Sequence, residues 1–143
     1  MPRIIAIDYG TKRIGLAVGD AALRIAMPWD VLDARNDPAA DAQTVWDHLR
    51  RSGDPVETLV VGLPLNMDGT EGPQAQLVRT FGQALAELSS RPVEYVDERL
   101  SSFHAEQKFR PPGKSRNQKS RKPNRPLDAV AAAVILDAYF RQE

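Results

Sequence analysis

Ile4-Ile5-Ala6-Ile7 is a short apolar, β-branched run that ends at Asp8, the pattern of a strand buried on both faces. Tyr9-Gly10-Thr11-Lys12 supplies a turn, after which Ile14, Leu16 and Val18 alternate with Arg13, Gly15 and Ala17, predicting a second strand paired with the first as a hairpin. Leu23 to Met27 reads as a third strand; Pro28 removes a ladder donor and so places that strand at a sheet edge or ends it. Asp37-Pro38 is an N-cap followed by proline at the first helical position, with Ala42, Val45, Trp46 and Leu49 at helical spacing up to Gly53. Thr58 to Val61 is a fourth strand, and Gly62 to Gly69 reads as a polar loop. Pro73 opens a second helix with Leu77, Val78, Phe81, Ala84, Leu85 and Leu88 on its apolar face. Val93 to Val96 is a fifth strand ending at Asp97-Glu98, and Leu100 to about Phe109 reads as helical. Leu127, Val130, Ala131, Val134, Ile135 and Ala138 mark a closing amphipathic helix.

This order predicts an α/β sandwich whose central strands are the first, fourth and fifth. A chain of 143 residues suits one domain over 1–143 with a radius of gyration of roughly 15 Å, too small for two domains facing each other across a cleft. The chain has no cysteine, which excludes a disulfide scaffold, a thiolate zinc site and a cysteine nucleophile, and two histidines are too few for a histidine-rich metal centre. The longest apolar run, Ala129 to Leu136, is far below the roughly 20 residues of a membrane span, and Met1-Pro2-Arg3 lacks a signal peptide's apolar region. A soluble cytoplasmic protein with no membrane partner is expected.

The formal net charge is zero, with 19 cations against 19 acids, but the charge is unevenly placed. Lys108, Arg110, Lys114, Arg116, Lys119, Arg121, Lys122 and Arg125 are eight cations with no acid between them, so the rest of the chain stands at −8. The stretch from Arg110 to Pro126 also carries four prolines. It lacks the apolar area to offset the entropy of ordering, and a mobile loop is expected there. A solvated charge run is the ordinary reading of such a segment. This one leads directly into Asp128, and nucleic acid is the natural polyanion for it.

Asp8 after the first strand, Asp97-Glu98 after the fifth, and Asp128 in the first turn of the last helix are acids on elements expected to converge. In open α/β sheets the functional crevice lies outside the carboxyl ends of the strands. Carboxylates gathered there repel unless cations bind between them, and all-oxygen donors select Mg²⁺ or Mn²⁺, two of which form a common device for phosphodiester hydrolysis. Taken singly, each acid has a structural reading: Asp8 as a turn acceptor, Asp128 as a helix N-cap. Asp97 and Glu98 are adjacent, so at most one is expected as a direct ligand. Lys12 and Arg13, beside Asp8, suit a phosphate, or are solvated turn charges; Arg99 can clamp a phosphate or pair with a neighbouring acid. His48, His104, Trp29 and Trp46 read as structural.

Four ordered motifs carry a resemblance: Ile5-Ala6-Ile7-Asp8-Tyr9-Gly10-Thr11-Lys12-Arg13-Ile14-Gly15-Leu16-Ala17, Val61 to Pro73, Val96-Asp97-Glu98-Arg99-Leu100-Ser101, and Leu127-Asp128-Ala129-Val130-Ala131-Ala132. In this order they resemble the YqgF (RuvX) family over essentially the whole chain. The resemblance implies the RNase H-like fold of the RuvC resolvases, an α/β five-stranded mixed sheet with helices on both faces. It implies a Holliday junction resolvase, or a nuclease maturing the 5′ end of pre-16S ribosomal RNA, acting on branched DNA or precursor rRNA. The acidic triad then maps to Asp8, Glu98 and Asp128, with Asp97 as the alternative ligand. Many RNase H-like nucleases carry an acid at the end of the fourth strand, where this chain has Gly62-Leu63-Pro64.

The leading reading is therefore a nuclease in which Asp8, Glu98 and Asp128 hold two Mg²⁺ or Mn²⁺, while Lys12, Arg13, Arg99, Lys114, Arg116, Lys119, Arg121, Lys122 and Arg125 hold the nucleic acid. A resolvase would be expected as a two-fold dimer on its junction. Two alternatives stand beside it. Asp8-Tyr9-Gly10-Thr11 also resembles the phosphate hairpin of actin-like ATPases, which need two such domains. A non-catalytic nucleic-acid or ribosome-associated module would keep the basic segment and use the acids structurally.

Overall fold

The computed structural model describes residues 3–100 and 125–142. Its strands are β1 (Arg3–Tyr9), β2 (Arg13–Asp20), β3 (Ile25–Asp33), β4 (Val56–Leu63) and β5 (Val93–Asp97), and its helices are α1 (Pro38–Ser52), α2 (Pro73–Ser89) and α3 (Arg125–Gln142). The strands form one sheet in the order β3-β2-β1-β4-β5, so β2, β1 and β4 are the interior strands and the fifth lies at an edge rather than in the centre as the element order suggests. The β1–β2 and β2–β3 pairs are antiparallel, and β1–β4 and β4–β5 are parallel.

The apolar run of β1 divides by parity, because successive side chains in a strand point to opposite faces. Ile5, Ile7 and Tyr9 join Leu59, Val61 and Leu63 of β4 against Ala42, Val45 and Leu49 of α1 and Val78, Phe81 and Leu85 of α2. Ile4 and Ala6 join Ala17, Val60 and Val96 against Ala132, Ala133, Leu136 and Phe140 of α3. Each fully buried Ile, Leu or Phe contributes about 1.5–3 kcal/mol, so both faces depend on these contacts. α1 is capped as its sequence predicts: the Asp37 side chain accepts from the Ala40 N–H, and Gly53 ends the helix at φ 82°, where a side chain would be strained.

Several boundaries differ from the sequence pattern. β3 does not stop before Pro28 but runs through it to Asp33. Leu16 pairs with Asp30 and Ala17 with Pro28, leaving Trp29 as an extra residue in a bulge on the edge strand, where a missing donor is tolerated. β4 continues through Gly62-Leu63 rather than ending at Val61. On α2, Leu77 and Leu88 are 37% and 40% exposed, and the buried face is carried instead by Ala75, Val78, Phe81, Gly82 and Leu85. α3 begins at Arg125; its Leu127 is exposed, and burial runs from Ala129 to Phe140 on more than one face. Residues 98–100 are already helical, whereas 101–109 and the basic stretch 108–124 lie outside the described residues. Among the described residues no helix is long and apolar enough to cross a membrane.

Candidate functional site

Asp8 follows Ala6 on the α3 face of β1, directly after the buried run Ile4 to Ile7. Its partner in the antiparallel register is Gly15. On the other side the pairing of Ile7 with Val61 brings Gly62 alongside. Both flanking residues lack a side chain, and each absence admits a group that reaches Asp8. A Cβ on Gly15 would collide with the backbone carbonyl of Asp128, so the first turn of α3 lies directly on β2 at that point. A Cβ on Gly62 would lie 2.8 Å from Glu98 Oε2 and 2.5 Å from Ile135 Cδ1. Sequence reasoning placed Gly62 in a polar loop beside the crevice and passed over Gly15; for neither did it see that the missing side chain makes room for an acid of the candidate site. The available signal was a glycine inside a strand pattern, which marks close approach by another group.

Asp8 and Glu98 meet as a hydrogen-bonded pair. Burial, and then the charge of Asp128, push the Asp8 carboxyl up to about 6, against the hydrogen bond from Glu98. Burial and the charge of Asp8 push Glu98 up to about 7. Two carboxyls at such proximity cannot both ionise cheaply, so near neutral pH they share a proton donated from Glu98 to Asp8. Asp128 is the third member, half-buried in the first turn of α3, and accepts from Arg13 Nε at 3.0 Å.

Parity separates the two adjacent acids. Asp97 pairs with Leu63 and lies on the opposite face from Asp8 and Val96. There Arg99 takes it in a fork, Nε at 3.1 Å from both oxygens and Nη2 at 2.8 Å from Oδ2, which holds Asp97 below the usual carboxylate range. Arg99 also donates to the Met67 carbonyl at 3.0 Å and to that of Asn66 at 3.4 Å, tying the β4–α2 loop to the residue after Glu98. Of its two sequence readings, Arg99 thus takes the pairing one in this structure. The loop is braced further by Asn66–Thr70 and Thr70–Asp68 hydrogen bonds and leaves Met67 91% exposed at its tip.

Lys12 is exposed on the hairpin beside Arg13. His48 bonds Asp30 at 3.0 Å against Trp29, and Trp46 packs on the core, all in structural roles. Arg125 is described only as part of the α3 backbone, while Lys114, Arg116, Lys119, Arg121, Lys122 and His104 lie outside the described residues. Behind the site the Tyr9 hydroxyl donates to the fully buried Asp41 at 2.6 Å, and its ring stacks on Phe81. This contact fixes the end of β1 to both helices of that face.

The donor chemistry suits a hard divalent cation: three carboxylates and no softer ligand, two of them already joined through a proton that an ion can replace. Among the described residues no three acids enclose one ion position in this arrangement, in which Asp128 is bonded to Arg13.

Residues 2–142 match the family model described as RuvX, Holliday junction resolvase. The chain belongs to the RuvX family. A RuvX relative from Anaeromyxobacter sp. (strain Fw109-5), provisionally named a pre-16S rRNA nuclease, is 44% identical over 138 residues and covers 96% of both chains. A relative of the same name from Chloroflexus aurantiacus is 43% identical over 96% of this chain and 85% of its own. Among solved structures, T. thermophilus RuvC in complex with Holliday junction substrate aligns over 99% of this chain and 96% of its own, with a TM-score of 0.54 at 17% identity. That likeness establishes the expected RuvC-like fold for this RuvX protein. A ROK family transcriptional regulator shares the fold over 75% of this chain but only 30% of its own length, at a TM-score of 0.52 and 12% identity.

Proposed function

We propose that this RuvX protein is a divalent-metal-dependent endonuclease that hydrolyses phosphodiester bonds in structured nucleic acid, branched DNA or the 5′ leader of precursor 16S rRNA, in the cytoplasm. The observation that carries the reading is the Asp8–Glu98 pair, held together by burial at the carboxyl end of the sheet with Asp128 close enough to raise Asp8 further. A fold needs no such arrangement for stability, since like-charged carboxylates in contact cost energy unless a proton or cation joins them.

Asp8, Glu98 and Asp128 would hold Mg²⁺ or Mn²⁺, with Asp97 engaged elsewhere by Arg99. When bound, a pair of such ions supplies Lewis-acid activation of water and neutralises charge at the phosphorus. Glu98 must first release the proton it donates to Asp8, so carboxylate readiness rises with pH through the range of about 6 to 7 set by the pair. Burial of the pair excludes bulk water and fixes the carboxylate geometry before substrate arrives. Lys12, Lys114, Arg116, Lys119, Arg121, Lys122 and Arg125 would hold the phosphate backbone. Engagement of all eight cations between residues 108 and 125 would give a log K against log salt slope of roughly −7 as an upper bound. On a junction, two symmetric cuts call for a two-fold dimer; an RNA leader makes no such demand.

The test is cleavage of a four-way junction, a linear duplex, single strands and a precursor 16S leader, side by side, with Mg²⁺, Mn²⁺ or EDTA. Cutting of at least one structured substrate that needs metal and is abolished by Asp8→Asn is the expected result. Intact substrates under every metal condition, or undiminished cutting by Asp8→Asn, would sink the reading.

A further inference from the structure

We infer that Arg13 is an exchangeable counter-ion, which holds the Asp128 carboxylate until a divalent cation takes it and then turns to a phosphate of the nucleic acid. This rests on the nuclease reading and assigns the site an order of events.

The placement follows from the sheet. Ile14 is buried on the α1/α2 face, so Arg13 and Gly15 on either side of it both lie on the face of Asp8 and α3. Gly15 lets the Asp128 carbonyl rest on β2, and Arg13 reaches the same residue's side chain from two positions earlier in the strand. The hairpin backbone is pinned independently, by Gly10 N–H to the Arg13 carbonyl at 3.0 Å and Ala34 N–H to the Lys12 carbonyl at 2.9 Å. Only the side chain of Arg13 has to move for the exchange.

The bond itself has the form of a temporary one. Arg79 grips Glu71 through Nε and Nη2 at 2.7–2.9 Å, and Arg99 grips Asp97 in the same two-point fashion. Arg13 meets Asp128 through a single bond, Nε to Oδ2, with both side chains about 30% exposed. A fork is geometrically specific and roughly doubles the donors engaged, whereas a one-point, solvent-accessible ion pair is worth little and exchanges easily. A cation arriving at Asp8 and Glu98 needs the third carboxylate and competes directly with the guanidinium. The displaced Arg13, a planar set of donors on the Asp8 face of the sheet, is matched to a phosphodiester.

The experiment measures two affinities in the wild type, Arg13→Ala and Arg13→Lys. Mn²⁺ is titrated by calorimetry into each protein without nucleic acid. A fluorescent four-way DNA junction and a fluorescent precursor 16S leader are each titrated by anisotropy in EDTA and in Ca²⁺, with gels confirming intact probe. Arg13→Ala should bind Mn²⁺ about five- to tenfold tighter than the wild type, a coupling in the usual range between linked sites. It should bind probe several-fold more weakly in Ca²⁺ yet within about twofold of the wild type in EDTA, because without metal the wild-type guanidinium is already engaged. Arg13→Lys, which keeps the charge, should recover most of both effects. A phosphate contact independent of metal would instead weaken binding equally in both buffers, and a purely structural arginine would weaken Mn²⁺ binding; either result overturns the proposal. If the wild type binds neither probe, the nuclease reading and the phosphate half fall together, while the Mn²⁺ titration alone decides the competition for Asp128.

Discussion

The shared proton between Asp8 and Glu98 makes folding stability depend on pH in a direction opposite to that of ordinary salt-bridged acids. Asp8 is lifted from 3.8 to about 6 and Glu98 from 4.5 to about 7, chiefly by burial. A carboxyl whose folded value is raised binds a proton in the folded state at pH values where the unfolded chain has released it. Its contribution is therefore fully present below about pH 4 and is lost as pH rises through about 6 to 7. One unit corresponds to 1.36 kcal/mol, so one proton shared by the pair is worth about 3 kcal/mol between the two limits. The acids held below their usual range, Asp68, Glu71 and Asp97, act in the opposite sense, losing their contribution as pH falls below about 4, outside this window. Urea unfolding in EDTA at about pH 5 and about pH 8 should show the wild type losing about 2–3 kcal/mol with an unchanged m-value. Asp8→Asn removes the neighbouring charge but not the burial of Glu98, so it should lose less than the wild type over the same range and be the more stable protein at the higher pH. Mn²⁺ at about pH 8 should restore the wild type and leave Asp8→Asn unchanged. A wild-type stability that is flat or rising over this range, or an Asp8→Asn variant that tracks it, would refute the shared-proton argument.

Gly15→Ala drives a Cβ into the Asp128 backbone, which cannot rotate away, and should cost about 1–3 kcal/mol in thermal unfolding together with most of the cleavage. Gly62→Ala meets only the ends of Ile135 and Glu98, so a melt should show a smaller stability loss while single-turnover cleavage still falls as Glu98 is turned aside. Asp97→Asn loosens Arg99 and should lower cleavage by no more than the roughly 10–100-fold typical of losing a ligand's supporting partner; Glu98→Gln should lower it further in the same assay. Deleting residues 114–122 removes five cations and should flatten the salt dependence of binding by up to about 4 in log–log slope, measured by anisotropy in Ca²⁺.

How much of this was legible in the chain depends on the range over which each feature is determined. β1 and its hairpin were readable because burial on two faces leaves a local mark, an unbroken apolar run and then strict alternation. Asp8, Glu98 and Asp128 were readable as acids at element ends. The residue pattern alone left Asp97 and Glu98 open and only the family resemblance favoured Glu98; the faces on which they lie follow from the pairing of Leu63 with Asp97, a register fixed between strands over thirty positions apart. Gly15 and Gly62 were hidden for the same reason: what fills the space beside Gly15 is the start of a helix that comes more than a hundred residues later. Pro28 leaves two local readings, an edge strand or a strand end; the sheet order decides for the edge, where the missing donor costs little and β3 can run on to Asp33. Leu77 and Leu88 fit a helical stripe by spacing, yet α2 turns its small residues Ala75 and Gly82 inward to approach the sheet, with Gly82 against the Tyr95 ring.

Gly62 also accounts for the one departure from the pattern of the wider RNase H-like superfamily, an acid missing from the end of the fourth strand. A side chain at position 62 would enter the space where the Glu98 carboxylate lies, 2.8 Å from its Oε2 and 3.0 Å from its Cγ. On the nuclease reading proposed above, Glu98, the residue after β5, supplies the carboxylate instead, and Gly62 leaves the space for it. If so, the two positions are interchangeable as sources of one charge. Glu98→Ala should lose Mn²⁺ binding by calorimetry and cleavage on gels, and Gly62→Asp alone should be impaired by two carboxylates competing for one space. The double variant Gly62→Asp/Glu98→Ala should regain Mn²⁺ affinity over Glu98→Ala by about tenfold or more, because coupled residues in one site depart strongly from additivity. A double variant no better than the sum of its two single changes would show that Glu98 acts from its own position, and that Gly62 serves only the packing of Ile135.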